Sequence, residues 1–442
     1  MPTFFIENFG CRATEADASA IRRNLLADGL TQVSEHAAAD FVVLNTCTVT
    51  AAADTQAREA IRKIHRANPE ARIIVTGCYA QRAPEELAAT EGVSWVVGNS
   101  HQIEIPRLIR QTTDFVPLAK IQDGEMSLAR GPAKILTGDI FAQATLPISS
   151  APHDPSDRTR PILKIQDGCN NRCSYCVIPF VRGRSRSLAP DAVVHDVQRL
   201  VATGVKEVVL SGINLGSYGR DLVPRASLGD VVRRILDKTA LDRLRLSSIE
   251  PQDVTEDFVA LVASSNRIAP HFHVPLQSGS DRILRAMHRW YRAEHYAERV
   301  NLIRRTLPDA AIGADVIVGF PDEAEEDFRA TVEFVERLPF TYLHVFSFSE
   351  RPGTQAANLA SKAVPAPVIR ERARALRMLA ESKSGAFRAS QAGRALRALT
   401  LARAGDDWTE ALTGNYLKVR IAGRHPANEW HIVFGTPAVA VP

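Results

Sequence analysis

Cys169, Cys173 and Cys176 put three thiols into eight residues, Cys169-Asn-Asn-Arg-Cys173-Ser-Tyr-Cys176. Three thiolates from one loop can hold three corners of a four-iron cluster, leaving the fourth iron open to coordinate a small molecule. Zinc is the competing occupant, but zinc sites usually draw four ligands from paired knuckles, and a fourth ligand would have to come from elsewhere. Tyr175 sets an aromatic face beside the third thiol that could stack on a base. The other three of the six cysteines are Cys11, Cys47 and Cys78. They are three buried core thiols or a second ligand set, which His65 or His101 could complete as a zinc site.

A disulfide framework fits neither 442 residues nor an N-terminus in which Glu7 and Arg12 flank a short apolar run, unlike a secretory leader. No apolar run reaches the roughly 18 residues of a membrane helix. The expectation is a cytoplasmic protein with no membrane partner. Hydrophobic content of 45% and charged content of 24% describe an ordinary globular chain, and its length predicts roughly two to four domains. A net charge of +4 fits average arginine usage as well as it fits an RNA-binding surface.

The elements that must position these thiols alternate between strand and helix. Residues 3–9, 40–45, 71–76 and 94–97 read as strands; 15–27, 51–66, a short segment opened by Pro84, and 102–110 read as helices. Such repetition predicts a parallel sheet with helices on its faces. Cys11, Cys47 and Cys78 each follow a predicted strand, so they should share the carboxyl edge where parallel sheets place ligands. Pro117, Gly131, Pro132, Pro147, Pro152 and Pro155 mark a connector with one or two short strands, such as 134–137.

From 160 to about 364 the alternation resumes. Strands are expected at 162–166, 207–211, 244–249, 272–276, 311–318 and 343–347, with helices between, which predicts a partial barrel with working loops at the carboxyl ends. The cysteine triplet occupies the first such loop. Gly212 and Asn214 lie in the second, Ser211-Gly-Ile-Asn-Leu-Gly-Ser-Tyr-Gly219, whose glycines leave backbone open to a ligand. Glu250 follows the third strand, placed either to bond ribose hydroxyls or to cap the next helix, and Gln277 follows the fourth. His271 and His273 alternate on one strand, as barrel filling or as functional groups.

The C-x₃-C-x₂-C spacing with Tyr175 resembles the signature of radical S-adenosylmethionine enzymes. Together with Cys11, Cys47 and Cys78, and with the stretches 165–170, 274–280 and 313–321, the chain resembles the methylthiotransferases of that superfamily over essentially its whole length. The resemblance implies two [4Fe-4S] clusters. One, on Cys169, Cys173 and Cys176, would chelate S-adenosylmethionine and yield a 5′-deoxyadenosyl radical. The auxiliary one, on Cys11, Cys47 and Cys78, would deliver a methylated sulfur. Tyr175, Gly212, Asn214, Glu250 and Gln277 become the expected S-adenosylmethionine contacts.

Implied partners are the anticodon loop of tRNA, an electron donor such as flavodoxin or ferredoxin, and a sulfur source of unknown kind. Ile213 stands where the isopentenyladenosine branch has Gln, and the loop around it resembles the branch acting on N6-threonylcarbamoyladenosine 37. The isopentenyl branch and the branch modifying an aspartate of a ribosomal protein are the alternatives; outside the family, the alternative is a non-catalytic zinc-stabilised RNA-binding protein. Thr14 departs from the usual Asn three residues after the first cysteine.

After an Arg-rich helical stretch at 368–388, the segments 395–401, 408–412, 416–421 and 430–434 read as short strands. They resemble the small β-barrel RNA-binding domain (TRAM-like) that ends these enzymes, with Tyr416, Lys418 and Arg420 as stacking and phosphate-facing groups. The expected architecture is an α/β N-terminal parallel-sheet domain at 1–112, a linker at 113–159 and a partial (β/α)6 radical barrel at 160–366. A connecting helix at 367–392 and the small C-terminal β-barrel at 393–442 complete it.

Overall fold

The computed structural model describes residues 1–113, 133–143, 146 and 159–435. Of the connector's markers, Pro117, Gly131, Pro132, Pro147, Pro152 and Pro155 lie outside them. The chain forms two compact units. The first comprises Met1–Asp154, Asp167–Asn171 and Cys176–Arg186; the second comprises Pro155–Gln166, Arg172–Tyr175 and Ser187–Pro442.

The first unit is a parallel sheet covered on both faces. Its strands are β1 (Thr3–Asn8), β2 (Thr31–Gln32), β3 (Phe41–Thr46), β4 (Arg72–Gly77), β5 (Val93–Gly98) and β6 (Lys134–Leu136), in the order β2-β1-β3-β4-β5-β6. Its helices are α1 (Arg12–Ala27), α2 (Ala51–Ala67), α3 (Cys78–Arg82), α4 (Pro84–Ala88), α5 (Ile105–Thr113) and α6 (Ile178–Arg182). β3 is buried at every position, because alternate side chains feed two cores. Val42 and Leu44 pack with Ile61 and Ile64 of α2 on one face, while Phe41 and Val43 pack with Ile21 and Leu25 of α1 on the other. β6, from the segment expected to be mostly connector, pairs in parallel with β5 (Trp95 with Lys134) and extends the sheet.

The second unit starts as six parallel strands: β7 (Ile162–Lys164), β8 (Glu207–Ser211), β9 (Arg243–Leu246), β10 (His271–His273), β11 (Ala311–Val318) and β12 (Tyr342–Ser347). They form two three-stranded sheets, each with neighbours in chain order. The sheets meet where Leu244 bridges Ile268 and Ala269 N donates to Leu244 O at 2.8 Å. This is the expected six-stranded partial barrel. The helices around it are α7 (Pro190–Ala202), α8 (Leu228–Lys238), α9 (Glu256–Ala263), α10 (Asp281–Ala286), α11 (Ala293–Thr306) and α12 (Glu325–Arg337). Several start on capping chemistry: Ser227 and Asp230 close a capping box on α8, and Thr255 caps α9.

Helix α13 (Ala366–Ser390) leads to an antiparallel sheet of β13 (Ala395–Ala404), β14 (Trp408–Thr413), β15 (Lys418–Ala422) and β16 (Trp430–Phe434), in the order β15-β14-β13-β16. A register shift between Thr400 and Ala404 marks where β13 departs from regular pairing with β14. No helix among the described residues is long and apolar enough to cross a membrane.

Candidate metal and cofactor centre

In the first unit the three scattered thiols stand at one sheet edge. Cys11 is the N-cap of α1, Cys47 directly follows β3, and Cys78 directly follows β4 as the first residue of α3. Strands β1, β3 and β4 are consecutive neighbours, so their carboxyl ends lie side by side. Two glycines allow the approach. Gly10 has φ +114, and a Cβ there would lie 2.5 Å from Cys47 Cβ and 2.9 Å from its sulfur. Gly77 has φ +98, and a Cβ would lie 2.3 Å from Thr46 O. Thr14, the departure from the family pattern, is fully buried and donates to Cys11 O at 2.7 Å, so it fastens the loop that carries the thiol.

The chemistry of the set fits a cluster with three thiolate ligands. Burial pushes the Cys47 thiol up to about 12, and neighbouring Cys78 and Cys11 push it the same way. Burial also raises Cys78, against the lowering effect of Arg182. Buried thiols that disfavour ionisation together are what a cation must compensate. No disulfide occupies any of the six cysteines.

Beside Cys78 lies a charge group that sequence reading missed. Arg182, at the end of α6 and 2% exposed, donates from Nε to Cys78 Sγ at 3.2 Å. Its Nη1 reaches both oxygens of Asp167 at 3.1 and 3.2 Å, and its Nη2 reaches Asp17 Oδ2 at 2.9 Å. Asn99 Nδ2 also points at Cys78 Sγ, at 3.5 Å, while donating to Val181 O at 2.8 Å. Cys169 and Cys176 belong to this unit, where Cys169 N donates to Gly183 O at 3.0 Å.

In the second unit Cys173 meets a corresponding group. Arg289 Nη1 donates to Cys173 Sγ at 3.3 Å, and Nη2 pairs with Glu250 Oε2. Glu250 makes no cap bond to the turn it precedes, so of its two expected roles the capping one is not realised. Burial raises its carboxyl and Arg289 opposes the rise. Tyr291 lies under the guanidinium at 5.0 Å and donates to Leu276 O at 2.7 Å. Tyr175 packs on the apolar group of Ile283, Met287 and Phe320.

The glycine loop after β8 is held by Gln166, whose Oε1 accepts from Asn214 N at 2.8 Å. A Cβ on Gly212 would lie 2.8 Å from that same oxygen, so this glycine is required by close packing. Asn214 is buried, and its Oδ1 has no hydrogen-bond partner among the described residues. A buried amide oxygen left over at the carboxyl end of a barrel strand suits a ligand donor. Gln277 is a non-glycine residue at φ 69, and its backbone bonds both ways to β11. That backbone strain is held in place by the barrel at a loop expected to touch ligand.

The two barrel histidines divide. His271 is a wall residue, its Nε2 2.8 Å from Tyr342 Oη and its ring stacked on Tyr416 at 4.1 Å. His273 has Nδ1 2.9 Å from Ser248 Oγ and Nε2 3.0 Å from Asp315 Oδ1, to which His344 Nδ1 comes within 3.2 Å. Burial pushes the Asp315 carboxyl up, but the two imidazoles outweigh it and hold it well below the usual range.

Two family models match the chain: Uncharacterized protein family UPF0004 over residues 3–98 and the Radical SAM superfamily over 163–335. The threonylcarbamoyladenosine tRNA methylthiotransferase MtaB of Aquifex aeolicus is 38% identical over 94% of this chain and 96% of its own length. The chain belongs to the radical S-adenosylmethionine methylthiotransferase family. It is an enzyme whose chemistry uses S-adenosylmethionine and [4Fe-4S] clusters. MtaB of Bacillus subtilis is 37% identical over 81% of this chain and 76% of its own. A tRNA-2-methylthio-N(6)-dimethylallyladenosine synthase of Syntrophobacter fumaroxidans is 36% identical over 81% and 76%.

Among solved structures, the radical S-adenosylmethionine methyltransferase TsrM of Kitasatospora setae aligns with a TM-score of 0.55 at 17% identity, covering 80% of this chain and 77% of that one. That likeness carries the fold.

Proposed function

We propose that the enzyme methylthiolates C2 of N6-threonylcarbamoyladenosine at position 37 of tRNA, using two clusters. Cys169, Cys173 and Cys176 hold the one that binds S-adenosylmethionine, and Cys11, Cys47 and Cys78 hold the auxiliary one. The observation that carries the two-cluster reading is the meeting of Cys11, Cys47 and Cys78 at one sheet edge, apart in sequence from a complete second triplet. When bound, the radical cluster supplies a 5′-deoxyadenosyl radical able to take hydrogen from an unreactive C–H bond.

The chain's own groups divide the remaining work. Arg289 and Glu250 orient Cys173, Asn214 Oδ1 and the backbone at Gly212 face the cofactor, and Tyr175 and Gln277 border it. The C-terminal sheet supplies the RNA surface. Arg388, Lys418, Arg420, Ile432 and Phe434 line a cavity of about 410 Å³. Phe434 is two-thirds exposed, and basic groups beside an open aromatic suit a phosphate backbone with unstacked bases. Tyr416, expected among these groups, is spent elsewhere: it stacks on His271, with Arg245 over its ring at 5.3 Å.

The substrate branch rests on the Ser211–Gly219 loop with Ile213, since relatives named for either modified adenosine match at nearly equal identity. Nucleoside analysis of tRNA from a strain lacking the gene tests it. The methylthio group should vanish from threonylcarbamoyladenosine, and its loss from the isopentenyl nucleoside instead would overturn the branch. Anaerobic purification should give brown protein with about eight irons per chain. About four irons per chain would overturn the two-cluster reading.

A further inference from the structure

We propose that Arg182, with Asp17 and Asp167, is a positioning device that sets the reduction potential of the auxiliary centre through Cys78. The inference rests on the reading of Cys11, Cys47 and Cys78 as cluster ligands. A guanidinium 2% exposed is costly to bury and needs anions for compensation. Two carboxylates supply it, and they leave Nε for a single purpose, the bond to Cys78 Sγ at 3.2 Å.

The geometry separates charge from direction. Nη1 and Nη2 are held by Asp167 and Asp17, which fix the plane of the guanidinium, so the remaining N–H points at the sulfur without freedom to turn away. An N–H aimed at a ligand sulfur withdraws electron density and favours the reduced cluster. Each carboxylate acts in the opposite sense, since it holds a negative charge near a group that gains another on reduction. Arg289 in the second unit has one carboxylate partner, Glu250, beside its bond to Cys173. Of the two arginines bonded to a cysteine sulfur here, Arg182 is the one that pairs with two carboxylates.

The test is a redox titration of the full-length two-cluster enzyme followed by electron paramagnetic resonance. The signal that changes on adding S-adenosylmethionine reports the radical cluster, and the other reports the auxiliary one. Arg182→Gln should move the auxiliary midpoint to more negative potential, and Asp17→Asn should move it to more positive potential, with the radical cluster's midpoint unchanged. Arg182→Lys should fall between Arg182→Gln and the native enzyme. If Arg182→Gln fails to hold iron, Asp17→Asn, which keeps Arg182 bonded to Cys78 and Asp167, decides alone. Variants with full iron content and native midpoints would overturn the proposal. If the second signal persists in a Cys11/Cys47/Cys78 triple-alanine variant, the ligand reading itself fails, and the proposal with it.

Discussion

At the scale of single residues, the three thiols at the sheet edge differ in what they can do without iron. Cys11 is exposed, whereas Cys47 is 5% and Cys78 1% exposed, and burial also keeps these two protonated at neutral pH. Alkylation needs both access and thiolate. In iron-free protein at pH 8, Cys11 should therefore label faster than Cys47 or Cys78 by roughly tenfold or more, read by peptide mass spectrometry. Equal rates would mean that the sheet edge is not formed before iron arrives.

The thiols were legible in the sequence because each follows an apolar strand, and a parallel sheet brings strand ends together. Arg182 and Arg289 were not. Arginine is usually solvated, and nothing in the local pattern says that its carboxylates lie elsewhere in the chain, at Asp17 and Glu250. The same holds for Asp315 and His344, which meet His273 only once three strands pair.

Among the elements, strands β8 and β9 carry a buried cluster of charges. Glu207 is fully buried, with Arg245 Nε 2.8 Å from one carboxylate oxygen, Arg243 on the other, and Arg160 Nη1 at 3.3 Å. The guanidiniums also donate to main-chain carbonyls of the C-terminal sheet: Arg243 to Leu412 O at 3.0 Å, and Arg245 to Thr413 O at 2.9 Å. Burial pushes the Glu207 carboxyl up, but Arg245, Arg243 and Arg160 outweigh it and hold it down at about 2.

A carboxyl depressed on folding stabilises the protein above its unfolded value, and this contribution disappears as pH falls toward the folded one. Stability from this group should be complete above about pH 4.5 and drain away toward pH 2, seen as a fall in Tm that is shallower in Glu207→Gln. At neutral pH, Glu207→Gln leaves three guanidiniums without their anion and should cost about 3–5 kcal/mol in denaturant unfolding. A loss below 1 kcal/mol would show that the carbonyls alone satisfy the arginines.

The strand–helix alternation of this region was plain in the sequence, but Arg243-Leu-Arg245 has the alternation of a half-solvated strand. It is buried because a sheet built from residues some 150 positions later covers it. Tyr416 was misassigned to RNA for the same reason: its partner, His271, is on β10 of the barrel.

For the whole molecule, the proposal divides one reaction between two sets of thiols, and that division can be separated experimentally. Cleavage of S-adenosylmethionine to 5′-deoxyadenosine needs only the radical cluster, so it requires Cys173 and not Cys47. Cys173→Ala also removes the sulfur that Arg289 bonds, leaving the Arg289–Glu250 pair without its third partner. With dithionite as reductant and tRNA present, 5′-deoxyadenosine from Cys173→Ala should fall to background, a loss of roughly a hundredfold or more. Cys47→Ala leaves the barrel loops intact, so it should keep 5′-deoxyadenosine formation within about tenfold of native while methylthiolated nucleoside disappears. Chromatography of both products from one reaction reads the two outcomes together. Parallel loss of both products in Cys47→Ala, with native folding by circular dichroism, would show that the Cys11, Cys47 and Cys78 set governs radical formation as well. The separate roles assigned to the two cysteine sets would then have to be abandoned.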